Sequence, residues 1–193
     1  MKYNSNVLLD SLQTDVRQIL LQANQLHHVP KELLIRQPAT GKWSVAQVLE
    51  HLNLYCRHYI TAIETKLHLN QSGPTVNFRP GWLGNYFTKL MKPTEDRSIP
   101  KKMKAPKNAV PSAQPDAQLM LDEFIHHQHH LLNLLQIAKT ANLENIRIPT
   151  SLSKFIALKL GDTFRFFIAH EQRHFVQIGS VLKVNDQTFI PAV

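Results

Sequence analysis

Apolar side chains recur at intervals of three, four or seven residues in four stretches of the chain, the period of a helix that buries one face. The first stretch runs from Ser5 to His28 and carries Leu8, Leu12, Val16, Ile19 and Leu26, and Pro30 is compatible with its end. The second opens at GKWSVAQVLEHL, where Ser44 holds the N-cap position and Gln47 completes a capping-box spacing. Val45, Val48, Leu49, Leu52, Tyr55, Tyr59, Ile60, Ile63 and Leu67 carry the stripe onward until Asn70 and Gly73. The third begins near Pro115 and Asp116 and reaches Thr140, with Leu121, Phe124, Ile125, Leu131, Leu132 and Leu135 as its apolar face. The fourth starts at Gly161 and Asp162, with Asp162 as its expected cap, and runs through Phe164, Phe167, Ile168, Val176, Ile178, Val181 and Leu182.

The intervening segments read differently. Six prolines (Pro74, Pro80, Pro93, Pro100, Pro106 and Pro111) break the chain between Gly73 and Pro115, leaving room for a short helix over residues 82–91. Residues 141–160 form a second connection, in which no hairpin signal competes with the helical pattern. Four long helices and two extended crossovers predict an all-α fold, a four-helix bundle with long crossover connections, in one domain over residues 1–193.

Composition narrows the function classes. At 43% hydrophobic residues the chain can bury a core without covalent staples, and its one cysteine, Cys56, excludes an internal disulfide. Cys56 falls inside the second helical stripe and reads as a small buried thiol. No segment approaches the ~20 apolar residues of a membrane span, and the first residues lack the pattern of a signal peptide. The expectation is a cytoplasmic protein with no membrane partner. The net charge of +8 raises nucleic-acid binding as a question. Positive charge concentrates in KLMKPTEDRSIPKKMKAPK, residues 89–107, which has no aromatic residue to stack on bases and no recognition motif. A solvated basic loop, or a rim that attracts an anionic small molecule, fits that segment better.

Eleven histidines carry most of the candidate chemistry. His27 and His28 end the first helix, where imidazoles can meet exposed carbonyls. HHQHH, with His126, His127, His129 and His130, reads as a solvated face of the third helix, with a surface metal on His126 and His130, four apart, as the lesser alternative. His170 and His174 differ. A spacing of four leaves two side chains only ~40° apart on one helix face. Both can therefore reach one divalent ion at the ~2.0–2.1 Å of a zinc–nitrogen bond. Their neighbours Phe167, Ile168, Phe175 and Ile178 place them on a largely buried helix, where unpartnered imidazoles are costly. A third ligand has to come from another helix, and His51 in the second is the candidate, with His58 as the competing choice.

These residues resemble a known family. GKWSVAQVLEHL resembles the W-S-x-x-x-x-x-x-H-L signature of the DinB-like superfamily of four-helix bundles. FIAHEQRHFVQIGSVL resembles its closing helix, with the H-x-x-x-H-x-x-Q-I pattern, and LGDTFRFFIAHEQRH matches the usual lead-in. MKAPKNAVPSAQ is similar to the extended segment before its third helix, so the likeness spans nearly the whole chain. The resemblance implies a divalent metal on His51, His170 and His174, choosing His51 over His58.

Three imidazoles on one ion leave a position open, the arrangement of catalytic sites. The resemblance implies transfer of a low-molecular-weight thiol such as bacillithiol onto an electrophile, or metal-dependent hydrolysis of a small-molecule substrate. A non-enzymatic alternative is a stress-response metal-binding module that pairs as a homodimer. Zinc, nickel and iron lead the candidate metals. Gln47, four residues before His51, and Gln177, seven beyond His170, are candidates to orient the ligands. Glu50 and Glu171 adjoin ligands in sequence but point ~100° away, so neither is a secure general base. Arg97, Lys101, Lys102 and Lys104 are candidates to receive the carboxylates of an acidic thiol.

Overall fold

In a computed structural model the chain is described over residues 2–94, 96, 99, 103–151 and 153–187. Four long helices dominate: α1 (Ser5–Gln25), α3 (Val45–His68), α5 (Ala117–Ile137) and α6 (Leu160–Gln187). Two short ones, α2 (Lys31–Ile35) and α4 (Trp82–Met91), lie in the connections. The fold is all-α apart from two small antiparallel ribbons among the described residues. One pairs β1 (Tyr3–Asn4) with β2 (Asn77–Phe78), the other β3 (Arg147–Thr150) with β4 (Ser153–Lys159).

The long helices close on one another: α1 packs on α5 and α6, and α3 packs on the same two. Between them lie Leu9, Ile19, Leu49, Leu52, Ile63, Leu121, Phe124, Leu131, Phe164 and Phe167, all buried. Each large apolar side chain of this kind contributes about 1.5–3 kcal/mol by leaving water. Helix α3 starts as its sequence predicts. Ser44 Oγ accepts from the Gln47 N–H, and Gln47 Oε1 accepts from the Ser44 N–H at 3.0 Å. Between α3 and α5, Arg57 makes a forked pair with Glu123 at 2.6 and 2.7 Å, but its exposure limits the gain to about 1 kcal/mol or less.

Three sequence expectations require correction. The segment 141–160 is not a plain connection, because Arg147, Ile148, Pro149 and Thr150 pair with Lys159, Leu158, Ala157 and Ser153, with an irregularity after Pro149. A ribbon of two strands has only edges, so Pro149 is tolerated there, and it masks the strand in the sequence. Asp162 does not cap α6. The first amides of that helix are taken by distant carbonyls instead, Leu160 N–H by Ile146 at 2.9 Å and Gly161 N–H by Leu143 at 3.2 Å. The buried Asp162 carboxylate instead accepts from the Gly81 N–H at 2.8 Å and from Arg165 at 3.3 Å, fastening α4 to α6. Helix α2 was not expected. It is one turn and a half long, too short to show a period, and it buries Leu33 and Leu34.

No helix among the described residues is long and apolar enough to cross a membrane.

Candidate metal centre

Helix α3 turns His51 inward between Val48, Leu52 and Tyr55, and α6 turns His170 and His174 toward it from the facing side. The three side chains are buried, and one ring nitrogen from each lies within 4.8 Å of the others. His170 Nε2 stands 3.1 Å from His174 Nε2 and 3.4 Å from His51 Nε2. Nitrogens bound to one tetrahedral zinc are separated by about 3.3 Å, so the donors already have the spacing of a ligand set.

The outer nitrogens decide which way the lone pairs point. His51 Nδ1 faces the main-chain carbonyl of Ala109 at 2.6 Å, and a carbonyl only accepts, so that nitrogen carries the proton. His174 Nδ1 likewise donates to Gln177 Oε1 at 2.9 Å. Both rings therefore aim an unprotonated Nε2 at the centre, the tautomer a metal requires. His170 Nδ1 is buried and has no hydrogen-bond partner among the described residues.

Electrostatics keep the rings neutral. Burial pushes His174 down to about 3, reinforced by His51, and moves His170 well below the ordinary imidazole range. His51 is lowered by burial too, against the opposing pull of the Ala109 carbonyl. Aromatic walls hold the rings in place. Trp43 and Tyr55 lie 4.9 and 5.0 Å from the His51 ring, Tyr55 is 4.4 Å from His170, and Phe166 stacks on His170 at 6.3 Å. A histidine-only donor set of this spacing could hold a metal ion.

The other sequence candidates are distributed as follows. His58 is turned away, its Nε2 donating to the Pro149 carbonyl at 3.1 Å. Gln177 reaches a cluster histidine directly, whereas Gln47 does not. Gln47 Nε2 donates to the carbonyls of Ser112 and Ala113 at 3.0 and 3.2 Å. Lys104 is exposed, and Arg97, Lys101 and Lys102 lie outside the described residues. In HHQHH the histidines take the outward and flanking positions: His127 meets Glu123 and His130 meets Glu64. Gln128, in their midst, is fully buried and donates to Glu171 Oε1 at 2.9 Å.

Gln128 escapes the sequence reading, which weighs Glu171 only as a general base, although the signal that both are buried is present. Gln128 continues the inward series Leu121, Phe124, Leu131 and Leu135, and Glu171 lies between Phe167 and His174 on the inward face of α6. Burial raises the Glu171 carboxyl to about 8, and burial next to Glu171 raises the Cys56 thiol, 3.6 Å away.

A mainly helical fold enclosing three inward histidines from two facing helices defines a class of proteins with a buried site that could hold a metal. The family model of the DinB superfamily matches residues 13–178, and the chain belongs to that superfamily. No curated protein and no solved structure matches it.

Proposed function

We propose that this protein is a metal-dependent enzyme that holds one divalent ion on His51, His170 and His174 and transfers a low-molecular-weight thiol, of the bacillithiol type, to an electrophile. The observation that carries the reading is the convergence of three Nε2 atoms at 3.1 and 3.4 Å, with two of the rings set by Ala109 and Gln177 to present lone pairs. An ion held by these three residues would supply Lewis acidity, of the kind that lets a thiol or a water ionise near neutral pH.

Two features favour the thiol over water as nucleophile. A free thiol loses its proton far more readily than water and needs less help from a base. The carboxylates nearest in sequence to the cluster are also engaged elsewhere, Glu50 with Ser112 and Glu171 with Gln128 and Cys56. A cleft lined by Leu54, Tyr55, His58, Asn108, Ala109 and Ser151 shares Tyr55 and Ala109 with the histidine surroundings, giving a small molecule an approach. Lys104 and Lys107, both exposed on the segment that leads into Ala109, supply positive charge for an acidic thiol.

The test begins with the metal content of untagged protein purified without chelator, beside His51→Ala and His174→Ala. About one ion per chain, lost in both folded variants, is expected; equal content in all three overturns the metal reading. Thiol consumption with an electrophilic acceptor then follows. Hydrolysis of the acceptor with no thiol consumed would move the assignment to a hydrolase.

A further inference from the structure

The carbonyl that orients His51 belongs to neither helix of the site. Ala109 ends a single 3-10 turn, Lys107–Ala109, in the extended segment that precedes α5. Among the described residues, the main-chain hydrogen bond of stretch 106–113 is that turn's own, from the Ala109 N–H to the Pro106 carbonyl. No strand or helix ladder fixes the stretch, so its position rests on the packing of the buried Ala109 and Pro111 and on hydrogen bonds to side chains.

Those side chains come from the first turns of α3. Glu50 Oε2 accepts from the Ser112 N–H at 2.7 Å and from the Ser112 hydroxyl at 2.9 Å. Gln47 Nε2 donates to the Ser112 carbonyl at 3.0 Å and to the Ala113 carbonyl at 3.2 Å. Ser112 is thus gripped at its amide, hydroxyl and carbonyl, three residues beyond Ala109. Upstream, Asn108 Nδ2 reaches the Ser151 carbonyl at 3.4 Å. Gln47, Glu50 and His51 fall within five residues, so one length of helix carries the ring and also anchors the strap that orients it.

We propose that Glu50, seconded by Gln47, is a positioning residue for His51: it anchors the 106–113 strap so that the Ala109 carbonyl holds the His51 ring angle and its Nδ1–H tautomer. The consequence for metal affinity rests on the metal reading of the cluster; the consequence for the ring does not. Loss of an orienting partner of a metal-bound histidine typically costs 10–100-fold in affinity. Glu50→Ala is therefore expected to weaken zinc binding about tenfold. Glu50→Gln keeps an oxygen to accept from Ser112 and is expected to stay within about threefold of the parent. Glu64→Ala removes the same charge from the same helix, where Glu64 meets His130, and is expected to leave affinity unchanged.

The experiment combines zinc competition titrations with ring ¹⁵N spectra of His51 in the metal-free protein. The spectra of the parent and Glu50→Gln should show the Nδ1–H form, and those of Glu50→Ala a mixture. A purely structural Glu50 would lower the melting temperature of Glu50→Ala yet leave zinc affinity and the His51 tautomer as in the parent, and that result overturns the proposal. Should the parent take up no zinc, the metal reading fails by itself. The His51 spectra then decide, and an unchanged tautomer in Glu50→Ala overturns the role of Glu50.

Discussion

His170 and His174, one turn apart on α6, bring their Nε2 atoms to 3.1 Å from each other, each ring buried and each held neutral. With His51 and His174 both protonated on the outer nitrogen, a single proton on His170 Nε2 can satisfy only one of the two facing lone pairs. A metal-free cluster therefore leaves an acceptor unmet in a low-dielectric interior. Zinc is expected to raise the melting temperature and a chelator to lower it. At free metal a hundredfold above Kd the gain is about 2.7 kcal/mol. His174→Ala should abolish the metal-dependent shift in a calorimetric scan.

Among the described residues, Gln177 is the side chain that hydrogen-bonds a cluster histidine from outside the cluster, accepting from His174 Nδ1 at 2.9 Å. Gln177→Ala should lower metal affinity by about 10–100-fold while the helix content is unchanged. Gln177→Glu retains an acceptor at the same reach and should bind at least as well as the parent. Circular dichroism beside a competition titration separates the two effects.

Gly84 permits α4 to lie on α6. A Cβ there would stand 2.3 Å from the Asp162 carboxyl carbon, closer than packing allows, so Gly84→Ala must push the helices apart or displace a buried ion pair. The expected loss is about 1–3 kcal/mol. Gly179, exposed within α6, has nothing within 4 Å of its Cβ position, and Gly179→Ala should stabilise the protein by about 0.5–1 kcal/mol. Urea midpoints of the two variants should move in opposite directions.

Glu171 gives stability a pH dependence of unusual sign for a carboxylate. Its folded value, about 8, lies above the ordinary 4.5 because burial disfavours the charge. Between those values the folded state keeps a proton that the unfolded chain has lost. The contribution is complete below about pH 4.5 and declines as pH rises towards 8, by at most about 1.4 kcal/mol per pH unit. Glu171→Gln, which cannot ionise, should remove this slope. Urea titrations of the metal-free proteins at pH 5, 6, 7 and 8 would show the parent losing ground to the variant as pH rises.

The helices and the His170–His174 pair were legible because both depend on short-range periodicity. Ser44, Gln47 and the stripe from Val45 to Ile63 define α3, and the four-residue step from His170 to His174 puts two rings on one face. Bringing His51 to that face needed the pairing of α3 with α6, which the likeness to a family supplied and the spacing of residues could not. What stayed hidden depends on contacts between distant segments. The cap of α6 is built from the carbonyls of Leu143 and Ile146, the β3–β4 ribbon contains a proline, and Gln47 reaches sixty-five residues along the chain to Ser112. Gln128 is a different omission, since its register placed it in the core and only its polarity argued otherwise.

The partner of His51 is an oxygen of the main chain, and every amino acid at position 109 would bring one. Drift at that position can change the side chain and still pass on the acceptor, so the letter at 109 says little about whether the bond exists. On the role proposed for Glu50, the heritable instruction for it is written instead at 47 and 50, whose side chains tie down the strap largely through the main chain of Ser112. Relatives that differ at 109 but keep those two side chains would then orient their histidine in the same way, and relatives that keep the alanine but lose them would not.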